Sequence, residues 1–217
     1  MIKPEIYDMS IVFVGNINPI IVQPLWLASK GLIQETEGEN AKIEIVHNEI
    51  VKFQLDWVSF EITAQRLMLR TTKESFFPVI KDLAVSIFNI LKDTPLNSLG
   101  INHILHFKLD KAGYINIGKR LAPFDNWEGI LSDPRLLQLE MTDQPRNDGF
   151  SGQYTVSITP SVLIRPYGVT ININDHFDEV GNVSGSGAII EILNRSWQTS
   201  LNRAGKTYTK LWETLNL

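Results

Sequence analysis

The sequence predicts an α+β fold of two similar halves, each reading strand, helix, about three strands, helix, with antiparallel sheet covered by helices on one face. Three observations predict it. First, Val58 to Thr63 followed by Arg66 to Thr71 has the alternation of a β-hairpin. Second, Val156 to Arg165 followed by Val169 to Asn174 echoes that hairpin roughly 98 residues later, a period that fits two halves of one unit better than a solenoid. Third, each hairpin follows a Pro/Trp/Gly-Leu-Ile type segment and precedes an apolar helix. These segments are Pro24 to Trp26 with Gly31 to Ile33, then Pro123 and Trp127 with Gly129 to Leu131. The expected organisation is a single domain, 1–217, built of halves at about 1–98 and 99–217.

The elements follow in order. Ser10 to Val14 is a continuous apolar run closed by Gly15, which suits a buried strand. Asn18 and Pro19 read as a helix start, so Ile20 to Ile33 is expected to be a buried helix interrupted at Pro24. Glu35 to Asn40 is acidic and reads as a solvated connection. Ala41 to Thr72 alternates, with a parity shift near Trp57 that calls for a turn or bulge. Phe76 to Leu91 has helical period, with Pro78 tolerated in the first turn and Pro95 as the stop.

The second half opens with a strand, Ile101 to Leu109. A loop or short helix follows near Ala122 to Leu131, then a strand from Leu136 to Met141 and a polar loop from Gln144 to Gly152. After the second hairpin, Asp175 to Gly187 reads as a long loop. Ala188 to Leu215 reads as a long helix with Ile189, Leu193, Trp197 and Leu201 on one stripe and a break or bend at Gly205.

Composition narrows the function. A net charge of -4 does not suit a surface built throughout for phosphate. The chain has no cysteine, which removes disulfides, thiolate nucleophiles and cysteine-ligated zinc. The opening residues lack a signal-peptide core, and no apolar stretch approaches the ~20 residues that span a bilayer. A cytoplasmic, membrane-free setting is therefore expected.

Four histidines are the main chemical candidates. His103 and His106 lie three apart, which on a strand sends them to opposite faces. If the halves met suitably, His103 or His106 with Asp175 and His176 would offer ligands for a divalent metal. The bland alternative is a set of strand-end residues. The glycines from Gly181 to Gly187 precede the last helix and could cradle an anion, but no Lys-Ser/Thr follows them. Here the plain reading is a loop with Ser186 as helix cap. Ser184 and Ser186 have no nucleophile-elbow context.

The sheet face opposite the helices would carry Ser59, Glu61, Thr63, Ser157, Thr159, Thr170, Asn172 and Asn174, polar yet nearly uncharged. The last helix carries Trp197, Arg203, Tyr208 and Trp212. Asn172, Asn174 and those four helix residues are the partner-binding candidates, the simpler view of the aromatics being core.

The duplicated strand-helix-strands-helix order is similar to the TATA-binding-protein fold, a curved antiparallel sheet with helices on one side. Separately, Gly15 to Pro19 with Pro24 to Trp26, Leu99 to His103 with His106 and Phe107, Leu121 to Pro123 with Trp127, and Asn174 to Phe177 resemble an uncharacterised bacterial family. That likeness implies a bacterial, cytosolic setting and no particular activity.

The expected function is therefore a non-catalytic binding or assembly protein, a subunit of a bacterial complex or a homo-oligomer, with no cofactor. Its partner would be another protein or a second copy. The alternatives are a nucleic-acid binder using the sheet face and a metal-dependent hydrolase with the His/Asp set.

Overall fold

β1 (Ile6–Gly15) and β6 (Leu96–Lys108) lie side by side near the middle of a nine-stranded antiparallel sheet. The chain is described here from a computed structural model covering residues 3–178 and 185–215. The other strands are β2 (Lys42–His47), β3 (Ile50–Gln54), β4 (Ser59–Thr63), β5 (Arg66–Thr71), β7 (Leu139–Asp143), β8 (Ser151–Pro160) and β9 (Gly168–Asp178). Their order is β2-β3-β4-β5-β1-β6-β9-β8-β7. Met9 opposes His103 and Ser10 opposes Asn102 across the central pair. The turn expected near Trp57 is present, closed by a bond from Leu55 N–H to Val58 C=O at 2.9 Å.

The helices are α1 (Pro24–Ser29), α2 (Glu35–Glu39), α3 (Phe77–Ile90), α4 (Lys111–Leu121) and α5 (Gly187–Leu215). Several differ from the sequence expectation, each for a local reason. The helix expected over 20–33 shrinks to α1 because Pro24 sits at its start and Gly31, with φ of 67°, ends the segment beyond it. The acidic connection is the short helix α2. There the Gln34 side chain accepts from the Glu37 backbone, and Glu37 in turn accepts the Gln34 N–H at 2.9 Å. Helix α4 was hidden by Gly113 and Gly118. Asp110 caps it by accepting from Gly113 N–H at 2.7 Å, and Ile117 and Gly118 are buried.

Strand β6 begins at Leu96 rather than Ile101, carried through Gly100 by pairing with β1 and β9. The loop expected from Asp175 instead begins as strand, since β9 runs to Asp178 opposite Ser98 and Ser151. Residues 179–184, which include most of the glycine loop and Ser184, lie outside the described residues.

Helix α5 runs through Gly205 without a break. An internal glycine costs about 1 kcal/mol of helix stability. A fully buried Leu or Ile returns about 1.5–3 kcal/mol, and α5 buries Ile189, Leu193, Trp197, Ala204, Trp212 and Leu215. Packing therefore outweighs propensity. The core forms two clusters that α5 bridges. Ile189, Leu193 and Trp197 join β1, β3 to β5 and α3, while Ala204, Trp212 and Leu215 join β8, β9 and the end of β6. Among the described residues, no helix is long and apolar enough to cross a membrane.

Candidate functional site on the open sheet face

Alternation along each strand separates two faces. On β1, Met9, Ile11 and Phe13 face the helices; Asp8, Ser10 and Val12 take the other side. The buried residues of the helices belong to the clusters on the first face. The second face is only partly open to solvent: Thr142, Asn172 and Asp178 are exposed, whereas Asp8, Ser10, Ser98, His106 and Thr170 are buried.

A row of neutral polar side chains crosses this open face. Thr142, Thr155, Asn174, Asn102 and Ser10 are successive cross-strand partners from β7 to β1. Asn174 donates to Asn102 Oδ1, and Asn102 donates to Ser10 Oγ at 3.2 Å. Thr155 donates to Thr142 Oγ1 at 3.3 Å. Asn172 is exposed one pleat along, opposite Ser157 and Ile104. Register places these groups together because a period of two keeps every second residue on one face.

Most charges on the first-half strands of this face are paired in place, whereas the exposed Glu140 stands opposite Ser157 with no ion pair among the described residues. Lys52 reaches Glu61 at 2.7 Å, and Arg66 bonds the same carboxylate. The Lys52 hydrogen bond leads in holding the Glu61 carboxyl below its ordinary range, against a smaller opposing effect of burial. Arg70 forks onto Asp8, and that bond holds its guanidinium above its usual value. Asp8 is 2% exposed, and its Oδ1 is buried with no hydrogen-bond partner among the described residues. Sequence reasoning missed this pair because its members stand 62 residues apart.

The four histidine-site candidates do not converge. His103 faces the helices, 2.8 Å from Tyr7 Oη and 3.2 Å from Ser200 Oγ. Asp175 shares that side, but it is bound by Arg146. His106 lies on the open face with Nδ1 2.9 Å from Ser161 Oγ and 3.0 Å from Thr170 Oγ1. Burial holds His106 below its ordinary pKa. His176 is also on the open face and pairs with Asp178 at 3.0 Å. Among the described residues, no three His, Cys, Asp or Glu side chains form a group suited to a metal. The site drawn from His103, His106, Asp175 and His176 is thus corrected: the pleat sends its members to opposite faces, each with its own partner.

The helix candidates are corrected in part. Trp197 is 7% and Trp212 2% exposed, so both rings are core and neither is offered to a partner. Tyr208 is half-buried against Phe107, with ring centroids 5.9 Å apart. Arg203 lies 3.7 Å over the Tyr154 ring and bonds Asp143 at 2.8 Å. Helical spacing puts the aromatics on the stripe that meets the sheet. Asn172 and Asn174 remain on the open face as expected.

Two further residues show what the loops do. Arg146 is a buried cation that bonds Asp148 and Asp175 and stands 3.9 Å over the Phe177 ring. Burial opposes its charge, but the two carboxylates outweigh that and hold the guanidinium above its ordinary value. Ser186 is 1% exposed, with Oγ 3.1 Å from Phe88 C=O and 3.3 Å from Lys92 C=O, so it ties the start of α5 to the end of α3.

No protein-family model matches this sequence, and a search of curated proteins finds no match.

Proposed function

We propose that this chain is a non-catalytic binding and assembly protein that docks another protein chain against its open sheet face. The observation that supports it is the accessible part of the neutral row, from Thr142 through Thr155 and Asn174 to Asn102. Amides and hydroxyls held in one register offer donors and acceptors at fixed spacing, which suits a polar protein surface. Lys52, Arg66 and Arg70 already face carboxylates, so a nucleic-acid reading has few free cations on this face to draw on. The sheet order supports two related halves of TATA-binding-protein-like arrangement. Beside β1 lie β5 and β4, beside β6 lie β9 and β8, and each pair is a hairpin followed by a long helix.

The test is to recover a tagged chain from its native cells, with and without nuclease, beside an Asn172→Lys/Asn174→Lys variant. The reading expects a stoichiometric protein partner, a second copy included, that survives nuclease and is lost from the variant. Recovery that disappears with nuclease would replace the reading with nucleic-acid binding. Equal recovery by the variant would move the docking surface elsewhere.

A further inference from the structure

A cleft of about 740 Å³ lies on the helix-covered side, between β7, β8, the end of α4 and the last third of α5. Its volume falls within the roughly 300–1,000 Å³ of ordinary ligand sites. The floor is apolar: Leu139, Met141, Val156 and Leu211 line it, and Met141 is 64% exposed. This apolar surface exists because β7 is the sheet edge. The helix-facing residues there extend past the cover that α5 provides.

The rim is cationic. Arg120, Arg203, Lys206 and Lys210 line the cleft, and among the described residues no carboxylate does. Arg203, Lys206 and Lys210 share a stripe of α5 at spacings of three and four. Their existing partners leave charge to spare. Arg203 faces Asp143 at 2.8 Å, whereas Arg120, among the described residues, donates to neutral oxygens, of Asn116 and Thr214. Lys210 reaches Glu213 at 3.6 Å in a pair that is mostly solvated, and such pairs contribute little. Lys206 has no ion-pair partner among the described residues.

We propose that this cleft binds an amphipathic anion: a single unbranched alkyl chain on the apolar floor, with its acidic head group between Lys206, Lys210 and Arg120. An apolar solute alone would leave the cations idle, and a small inorganic anion would leave the floor wet. Only a ligand carrying both parts satisfies both, because apolar burial and charge-assisted hydrogen bonds then add. The cleft lies across the sheet from the open face, so this inference does not depend on the docking proposed there.

The test is calorimetric titration of the purified chain with dodecanoate below its micellar concentration, with dodecanol and acetate as the two half-ligands. One dodecanoate per chain is expected at micromolar affinity, with both half-ligands at least tenfold weaker. Lys206→Glu and Met141→Asp, both at exposed positions, should each weaken dodecanoate at least tenfold while leaving the urea midpoint near wild type. Absence of dodecanoate binding at millimolar concentration would overturn the proposal, as would binding unchanged in both variants. Capture on anionic vesicles without binding of monomeric dodecanoate would also overturn it, in favour of a lipid-surface contact.

Discussion

Tyr7 Oη lies 2.8 Å from His103 Nδ1 and joins β1 to β6 on the helix-covered face. Tyr7 also packs against both core clusters, so the bond sits where they meet. Burial pushes the Tyr7 phenol up, which keeps it protonated and able to donate to Nδ1. A neutral His103 then carries its proton on Nε2 and donates to Ser200 Oγ at 3.2 Å. One imidazole thus fastens both central strands to α5.

That arrangement predicts acid sensitivity. Burial lowers the His103 pKa from 6.5 to about 4. Between those values the unfolded chain binds a proton that the folded chain refuses, so stability is full above pH ~6.5 and declines as pH falls toward ~4. The loss from this group reaches about 3 kcal/mol at the lower end. Urea unfolding at several pH values should show the decline in wild type and a flatter profile in His103→Phe. Parallel profiles for the two proteins would assign the acid sensitivity to other groups.

The Arg146 network predicts a large and asymmetric cost. Asp175 is 1% exposed, and Arg146 is its ion-pair partner. Removing one partner of a buried pair leaves an uncompensated charge and costs about 3–5 kcal/mol. Arg146→Met should lower stability by that order, and Arg146→Lys should recover less than half, since an ammonium cannot reproduce the fork. A loss below about 1 kcal/mol in Arg146→Met would mean that the 144–150 loop is not pinned by this residue.

Gly205 predicts a gain. It lies within α5, and a Cβ added there meets nothing within 4 Å. Gly205→Ala should therefore stabilise by about 0.5–1 kcal/mol through reduced freedom of the unfolded chain. Thermal or urea unfolding measures it directly. A destabilised variant would show that the backbone at 205 departs from ordinary helix.

The contrast between what was legible and what was not follows from range. The β4–β5 hairpin, α3 and the stripe of α5 were readable because period two or period 3.6 is written in neighbouring residues. The opposite facing of His103 and His106 was readable for the same reason. Helix α4 was not, since Gly113 and Gly118 lower its local propensity while its support comes from Ile117 packing into a distant cluster. In the sequence, the stripe of Trp197 and Trp212 fits a core and an interface equally well. Their stripe was legible, but what covers it was not.

By itself the sequence determined an α+β chain with an apolar side and a polar side to its strands; the charged residues that share the polar side, Asp8, Lys52, Glu61, Arg66 and Arg70 among them, emerged only with the register. It also determined the absence of any cysteine chemistry. Only the tertiary structure decided that β1 pairs with β6, that Asp8 meets Arg70, that Asn102 meets Asn174, and that a cationic rim stands over an apolar floor beside β7. The physical reason is that alternation fixes which way a side chain faces, whereas register between strands distant in sequence fixes what it faces.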